Sequence, residues 1–344
     1  MSISTHDIDQ MLSDFNSRGE KPRGRILALS RYAIVGNAQH FNDIFTKHGW
    51  NNRLDYDGLR LSDEQLFSAL GFEVFEAMDC SDYEGADLVY DFNDPDVPVR
   101  YNEKYDYILD AGTLEHIFNL PNALKAVFQM LKSGGTFFFN QPVFIGHNHG
   151  LYGLSPCLFH EYFRVNRWRI NSFRLFFSKT SNGPYNYINM SEQSIRSGEI
   201  NEGPYCVMWG SATKTTKTTH TAVPQQPFYE ELWQKCKDRN QKINETFETI
   251  TDGMIYLYGT GRHAQDLIMS LSSEKRRKLE AGGLISTSPD EIGRCFMYGI
   301  RIYDISTVKP GDAIIIASDI YQNTIYDRIM HLENKNIKII KLYC

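Results

Sequence analysis

Residues 105–142 constrain the fold of this chain more than any other stretch. They begin with an apolar run at 105–109, which predicts a buried strand, and apolar residues then recur at helical spacing from 120 to 131. Gly134 and Gly135 are expected to stop the helix, and a second buried strand follows at 136–139. A strand, a helix and a parallel strand form one right-handed crossover unit. We therefore predict a doubly wound α/β sheet whose ligands lie beyond the carboxyl ends of its strands.

Length and composition predict two domains. The chain has 344 residues, of which 42% are hydrophobic, and this is enough for two apolar cores. Residues 214–227 are poor in apolar side chains and rich in Thr, Lys and Pro, as linkers are. We expect a first domain at 1–213, a linker at 214–227 and a second domain at 228–344.

Charge and cysteine usage exclude several classes of partner. The net charge is −6, and the basic run at 275–278 lies in a polar helical pattern, so we expect no nucleic acid partner. The six cysteines show no C-x-x-C spacing, which argues against a structural zinc site and a disulfide framework. No apolar run approaches the roughly 20 residues that cross a bilayer, and no signal-peptide pattern opens the chain. We expect a soluble, cytoplasmic protein without a membrane partner.

The order of motifs in 105–142 resembles a known enzyme family. Asp110 ends a strand, Leu114-Glu115-His116 follows, and Lys132-Ser133-Gly134-Gly135 forms the next turn. In this order the motifs are similar to the fourth and fifth strands of class I S-adenosylmethionine-dependent methyltransferases. The pattern D-x-G-T-L-E-H, followed by H-G-x-Y-x-x-S-P at 149–156, resembles one bacterial subgroup of that class. The resemblance implies a Rossmann-like methyltransferase sheet and S-adenosylmethionine as the cofactor.

The resemblance also implies a set of cofactor contacts at the ends of the strands. Asp79 would accept hydrogen bonds from the ribose hydroxyls, and Asp91 with Phe92 would hold the adenine. Turn or cap roles explain both aspartates equally well. The complete set of positions that match the family's cofactor contacts is Ser30, Asp79, Asp91, Phe92, Asp110, Gly112 and Thr113.

The first loop departs from the family. A glycine-rich turn is normal after the first strand, but this chain has Ser30-Arg31-Tyr32 there, with the first glycine at Gly36. Glycines at such a turn let the backbone approach a ligand closely. Ser30 can contribute to cofactor binding only along a different loop path. An inactive relative of the fold is the alternative.

The loop after the fifth strand carries the candidate catalytic residues. His147, His149 and Tyr152 are the best candidates for removing a proton from an acceptor, because a histidine titrates near neutral pH. Packing of the loop is the structural alternative. We predict no metal site, since no Cys, Asp or Glu beside these histidines completes a set of ligands.

The second domain carries its own nucleotide fingerprint. A G-x-G-x-x-A turn at 259–264 follows a predicted strand, and Gly259 and Gly261 would allow close backbone approach to a phosphate that His263 faces. With I-I-A-S at 315–318, this half resembles the small Rossmann-like domain beside sugar-modifying transferases. No acidic residue follows the next strand, at 282–285, to hold a ribose. A docking or homo-oligomerisation domain without nucleotide is the alternative.

These observations together predict transfer of a methyl group from S-adenosylmethionine to a small polar acceptor, such as a sugar or a nucleotide-linked sugar. Two rival functions stay open. One is an NAD-dependent oxidoreductase or epimerase that uses the second domain, and the other is a non-catalytic binding protein with a degenerate cofactor site.

Overall fold

Residues 105–142 form a strand, a helix and a parallel strand, as predicted. The protein is described by a computed structural model that covers residues 1–55, 61–144, 149–179, 186–191, 193–194, 205–250 and 252–343. The predicted end of the helix at Gly134 is wrong. The helix ends at Met130, because Leu131 already has an extended backbone. Gly135 instead lets two strands pack closely, since a Cβ there would lie 2.8 Å from the Asp106 carbonyl oxygen.

The chain divides into two compact units, Met1–Pro227 and Phe228–Cys344. In the first unit the described strands are β1 (Ser2–Ser4), β2 (Arg25–Ala28), β3 (Ala33–Val35), β4 (Val74–Asp79), β5 (Leu88–Val89), β6 (Tyr105–Ala111), β7 (Leu131–Phe144), β8 (Arg169–Ser178), β9 (Asn186–Asn189) and β10 (Tyr205–Thr213). Its described helices are α1 (Thr5–Arg18), α2 (Ala38–Lys47), α3 (Asp63–Leu70), α4 (Leu120–Met130) and α5 (Pro156–Val165).

The main sheet of the first unit is doubly wound. Its eight strands lie in the order β5-β4-β2-β6-β7-β10-β8-β9. The strands from β5 to β7 are parallel, and β10 runs antiparallel to both β7 and β8. From β2 the chain adds β4 and then β5 on one side, whereas from β6 it adds β7 on the other side. The strand order therefore reverses between β2 and β6, which is the switch point of the sheet. Ligands of such sheets bind at the carboxyl ends of the strands beside this switch point.

Both faces of this sheet are covered, which explains the continuous apolar runs in the sequence. Successive residues of β2 point to opposite cores: Leu27 belongs to the core with α4 and α5, and Ala28 to the core with α1, α2 and α3. The same alternation separates Phe137 from Phe138 in β7. The covered faces leave the ends of the strands, rather than the faces of the sheet, for a ligand site.

Part of the predicted linker packs on the first unit. The Lys214 side chain is buried, and its ammonium group donates to the carbonyl oxygens of Phe128 (2.9 Å) and Leu131 (2.7 Å). Further on, the Asn166 amide bonds to Thr219 and Ala222. These hydrogen bonds hold residues 214–222 against the first unit.

The second unit contains a smaller parallel sheet. Its described strands are β11 (Ile255–Tyr258), β12 (Gly283–Ile285), β13 (Ile302–Tyr303), β14 (Ala313–Ile316) and β15 (Lys338–Lys341), in the order β13-β12-β11-β14-β15. Its described helices are α6 (Pro227–Thr249), which starts at the unit boundary, α7 (Arg262–Ser270), α8 (Ser273–Gly282) and α9 (Gln322–Ile329). The sheet switches direction at β11, beside the glycine turn. Within the part of the chain described, no helix has the length and apolar character needed to cross a membrane.

Candidate functional site

Ser30 and Asp79 meet at the carboxyl ends of β2 and β4. The Ser30 hydroxyl donates to one carboxylate oxygen of Asp79 at 2.9 Å, and the backbone N–H of Cys80 donates to the other at 2.7 Å. Ser30 is fully buried, whereas Asp79 is only half-buried. Each carboxylate oxygen can accept more than one hydrogen bond. Asp79 therefore keeps capacity to bind a diol from the open side.

Asp110 lies near the carboxyl end of β6 and is hydrogen-bonded within the protein. It is fully buried, and one of its carboxylate oxygens accepts from the backbone N–H of Thr113 at 2.9 Å, while the side-chain amide of Gln141 contacts the other. Burial first, and the Glu115 carboxylate second, raise the pKa of Asp110 well above its ordinary value. Asp110 thus shapes the turn after β6, and its contact with a cofactor stays a prediction.

The turn after β6 needs a glycine. Gly112 has φ +89°, a left-handed conformation that side chains rarely adopt. The next residue, Thr113, is buried, and its hydroxyl donates to the sulfur of Met1 at 3.0 Å. The Met1 side chain thus contacts residues 111–113, where the resemblance to class I methyltransferases implies that the methionine end of the cofactor lies.

Asp91 and Phe92 both make contacts within the protein, and their contact with an adenine stays a prediction. The Asp91 carboxylate accepts from the backbone N–H of Asn93 at 2.8 Å and from its side-chain amide at 2.9 Å, so it closes the turn that the sequence offers as an alternative. Phe92 is buried and packs edge-on against Tyr90, with ring centroids 5.2 Å apart. Asp91 stays exposed to solvent, but the Phe92 ring is part of the core.

The loop that replaces the glycine turn folds onto the sheet. Tyr32 is buried, its hydroxyl donates to the carbonyl oxygen of Leu109 at 3.1 Å, and the N–H of Ala111 donates back to that hydroxyl at 3.0 Å. The Arg31 guanidinium pairs with Asp63 at 3.2 Å and with Asp87 at 2.9 Å. Only the missing glycine was visible in the sequence. The bridge from Tyr32 to β6 had no local signal.

The candidate catalytic loop lies against the residues that follow β6. His147 falls outside the described residues. His149 is exposed, and its Nε2 lies 3.3 Å from a carboxylate oxygen of Glu115, which is itself buried. The Tyr152 hydroxyl donates to the carbonyl oxygen of Phe118 at 2.9 Å, so its proton is engaged. His149 is therefore better placed than Tyr152 to accept a proton.

The glycine turn of the second unit has the predicted form. Gly259 has φ +119°, and Gly261 is the N-cap of α7. His263 is exposed on the first turn of that helix, with its ring 5.7 Å from the ring of Tyr343. Glu291 was not predicted from the sequence, and its carboxylate accepts from the hydroxyls of Thr260 (2.9 Å) and Ser286 (2.5 Å).

Glu291 supplies an acidic group near the end of β12, although the residues that directly follow this strand, 286–288, are not acidic. Hydrogen bonds from Ser286 first and Thr260 second lower the pKa of Glu291. The only sequence signal is an acidic residue five positions beyond Ser286. Such a spacing is too common to single out a site.

A polar cleft of about 620 Å³ opens at the other edge of the first sheet, lined by Gly24, Arg25, Asp106 and Gly135 among others. These residues stand at the amino ends of β2, β6 and β7. No predicted site residue lines this cleft, so it is separate from the site at the carboxyl ends of the strands.

No protein-family model and no curated protein matches the chain. Among solved structures, it is similar to TehB from Haemophilus influenzae, with 13% identity over 60% of this chain and a TM-score of 0.33. The match spans 62% of the TehB chain, less than two thirds of its length. A SAM-dependent methyltransferase from Archaeoglobus fulgidus matches with 11% identity, over 61% of this chain and 94% of that chain, at a TM-score of 0.33.

A third similar structure is a possible histamine N-methyltransferase from Thermotoga maritima, with 13% identity, 61% of this chain and 91% of that chain covered, and a TM-score of 0.31. The order and direction of the strands describe the fold: the first unit contains a doubly wound, Rossmann-like α/β sheet, and the second contains a smaller Rossmann-like α/β sheet.

Proposed function

We propose that the first unit binds S-adenosylmethionine and transfers its methyl group to a small polar acceptor. The observation that carries this proposal is the half-buried carboxylate of Asp79, hydrogen-bonded to buried Ser30 beside the switch point of the sheet. Nucleoside ligands of such sheets lie in this crevice, and a carboxylate at the strand end accepts hydrogen bonds from ribose hydroxyls. In this proposal Asp79 holds the ribose, and the turn at Gly112 faces the methionine end.

Bound S-adenosylmethionine would supply an activated methyl group for direct displacement from sulfur. The chain's own residues then have to align the acceptor and remove its proton. Glu115 holds His149 by a 3.3 Å contact, and an imidazole oriented by a carboxylate is a common general base. Most of the rate would come from alignment, so few fixed catalytic groups are required.

We further propose that the acceptor is a sugar or a nucleotide-linked sugar. The acceptor side combines the imidazoles of His116 and His149 with two exposed apolar side chains, Phe118 (74% exposed) and Leu151 (61% exposed). Sugars present both hydroxyls and apolar ring faces. Taken by itself, the glycine turn of the second unit, with Glu291 hydrogen-bonded to Thr260 of that turn, is a separate candidate site for a nucleotide phosphate.

A non-catalytic binding protein is the second candidate, and Tyr32 favours it. The Tyr32 hydroxyl accepts a hydrogen bond from the N–H of Ala111, and the Thr113 hydroxyl donates to the sulfur of Met1. Both groups lie where the proposed cofactor would place its methionine end. In this arrangement neither group is available to the methionine end of the cofactor, as the non-catalytic candidate requires.

Calorimetry with S-adenosylmethionine, S-adenosylhomocysteine and NAD separates these functions. Methyl transfer requires heat with the first two ligands. No heat with either, at protein concentrations that detect a dissociation constant of about 1 mM, would leave the non-catalytic candidate. Tight NAD binding without S-adenosylhomocysteine binding would instead support the oxidoreductase that the sequence left open.

A further inference from the structure

A buried carboxylate with an unpaired oxygen lies beside two histidines in the first unit. Glu115 is 1% exposed, and its Oε2 has no hydrogen-bond partner among the described residues. Its other oxygen, Oε1, lies 3.3 Å from Nε2 of His149 and 3.8 Å from Nε2 of His116. Buried polar atoms are rarely left without a partner, because the lost hydration is not replaced. A pair with one histidine would satisfy only one of the two oxygens.

We propose that Glu115, His116 and His149 bind one divalent transition-metal ion, with Zn²⁺ the best match. Two imidazole nitrogens and one carboxylate are a common donor set for such ions, and Zn²⁺ sites with three protein ligands keep a further position open. The sequence predicts no metal site, because no carboxylate stands beside the loop histidines. The structure brings Glu115 to His149 across 34 positions of the chain.

The distances suit a site that closes slightly around an ion. The three ligand atoms lie within 4.8 Å of one another. Ligand atoms about 2.1 Å from a tetrahedral ion are about 3.4 Å apart. Glu115 is fixed by burial, whereas the side chains of His116 and His149 are 46% and 42% exposed and have room to rotate inward.

The backbone holds His149 close to Glu115. The N–H groups of Leu151 and Tyr152 both donate to the Glu115 carbonyl oxygen, at 2.7 and 3.2 Å. Gly150 has φ +68°, and a Cβ there would lie 2.8 Å from Cγ of Glu115. The loop therefore approaches Glu115 closely only because residue 150 has no side chain. This positioning is a property of the fold and does not depend on any ligand.

The proposed ion would have a role in methyl transfer, and that role rests on the proposed function above. An acceptor hydroxyl bound at the open position would lose its proton to water more readily, because a metal ion lowers the pKa of a bound hydroxyl. The oxygen would then attack the methyl carbon as the carbon–sulfur bond breaks. His149 would act as a ligand in this case, not as the general base.

Metal binding is tested on the full chain, without cofactor or acceptor. The protein is treated with a chelator and dialysed, then titrated with Zn²⁺ by calorimetry and with Co²⁺ by visible absorption, which reports coordination number. We expect one equivalent to bind, with Co²⁺ spectra of four or five ligands. Glu115→Gln, His116→Ala and His149→Ala should each weaken binding roughly tenfold or more. His40→Ala, which removes an exposed histidine of α2, should leave binding unchanged.

Several outcomes would overturn the proposal. Binding of less than one equivalent of metal by the unmodified chain would do so. An equal loss of metal affinity in His40→Ala and His149→Ala would also do so, because it would show that exposed histidines bind the metal without a defined site. If Glu115→Gln does not fold, the two exposed histidine variants decide the question. Since no nucleoside is present, failure here is independent of the S-adenosylhomocysteine titration that tests methyl transfer.

Discussion

The phenol hydroxyl of Tyr32 lies 3.1 Å from the carbonyl oxygen of Leu109, and so joins the loop after β2 to the end of β6. The same hydroxyl accepts from the N–H of Ala111 at 3.0 Å. Burial raises the pKa of Tyr32 well above its ordinary value, so the group stays a neutral donor and acceptor. Tyr32 thus attaches the loop after β2 to β6 through its side chain.

Replacing Tyr32 by Phe should lower the free energy of unfolding. The variant keeps the ring but leaves the buried N–H of Ala111 without its acceptor, and it removes one of two hydrogen bonds to the Leu109 carbonyl oxygen, which still accepts from the N–H of Leu29. We expect a loss of about 1–3 kcal/mol, measured by urea denaturation. Tyr83→Phe is the control, since Tyr83 is 90% exposed and should change stability little. Equal effects of the two substitutions would show that the Tyr32 bridge does not form.

Arg31 should be needed to hold the same loop. Its partner Asp63 is 3% exposed and also accepts from the N–H of Tyr32 at 3.1 Å. Arg31→Ala removes the opposite charge beside a buried carboxylate, so we expect a loss of about 1–3 kcal/mol in the free energy of unfolding.

Arg31→Lys provides the matched comparison. The guanidinium contacts Asp63, Asp87 and the carbonyl oxygen of Gly85, and an ammonium cannot reach all three. We expect the lysine variant to recover only part of the loss in a thermal or urea unfolding experiment. Full recovery would mean that the charge alone matters and that the loop is not held by the three-way contact.

Asp110 should make stability fall as the pH rises. Its folded-state pKa lies above that of the unfolded chain, so the folded protein binds the proton more tightly. As the pH rises from about 4 toward the folded-state pKa, the unfolded chain loses this proton first and the free energy of unfolding decreases. Below about pH 4 the stabilisation is fully present.

Asp110→Asn removes this titration while keeping an oxygen that can accept from Thr113. Its free energy of unfolding should therefore decrease less steeply than that of the unmodified chain between about pH 4 and neutrality. Urea denaturation at a series of pH values measures both slopes. Asp82→Asn, at an exposed position, should leave the slope unchanged. Parallel curves for Asp110→Asn and the unmodified chain would contradict the assignment.

Local sequence pattern was enough to predict the sheet of the first unit. The signals used were the apolar runs at β6 and β7 and the helical spacing of α4. These are local patterns, because each depends on residues that are close in sequence or lie in adjacent strands. The end of α4 was misplaced, because the backbone conformation of Leu131 depends on its pairing with Tyr105. The end of a helix can thus depend on pairing between residues that are distant in sequence, and a local pattern carries no information about that pairing.

The candidate site was less predictable for the same reason. The position of Asp79 after an apolar run was enough to predict that it lies at the end of a strand. In the structure its carboxylate accepts a hydrogen bond from Ser30, which lies 49 positions earlier in the chain. Contacts such as Tyr32 with Leu109, or Glu115 with His149, join side chains that only the tertiary fold brings together. Asp91 differs from these residues, because its hydrogen bond to the N–H of Asn93 is local in sequence. That turn accounts for an aspartate at position 91 without any ligand.

The most direct test of the proposed function is the affinity for S-adenosylhomocysteine of three chains: the unmodified protein, Asp79→Ala and Asp82→Ala. Asp79 stands at the strand tip, whereas Asp82 is an exposed carboxylate of the following loop. Calorimetry should show binding by the unmodified chain, a loss of about 1–3 kcal/mol in Asp79→Ala, as for a charged hydrogen bond, and no change in Asp82→Ala. Absence of binding by the unmodified chain, or equal affinity of Asp79→Ala, would contradict cofactor binding at these strand tips.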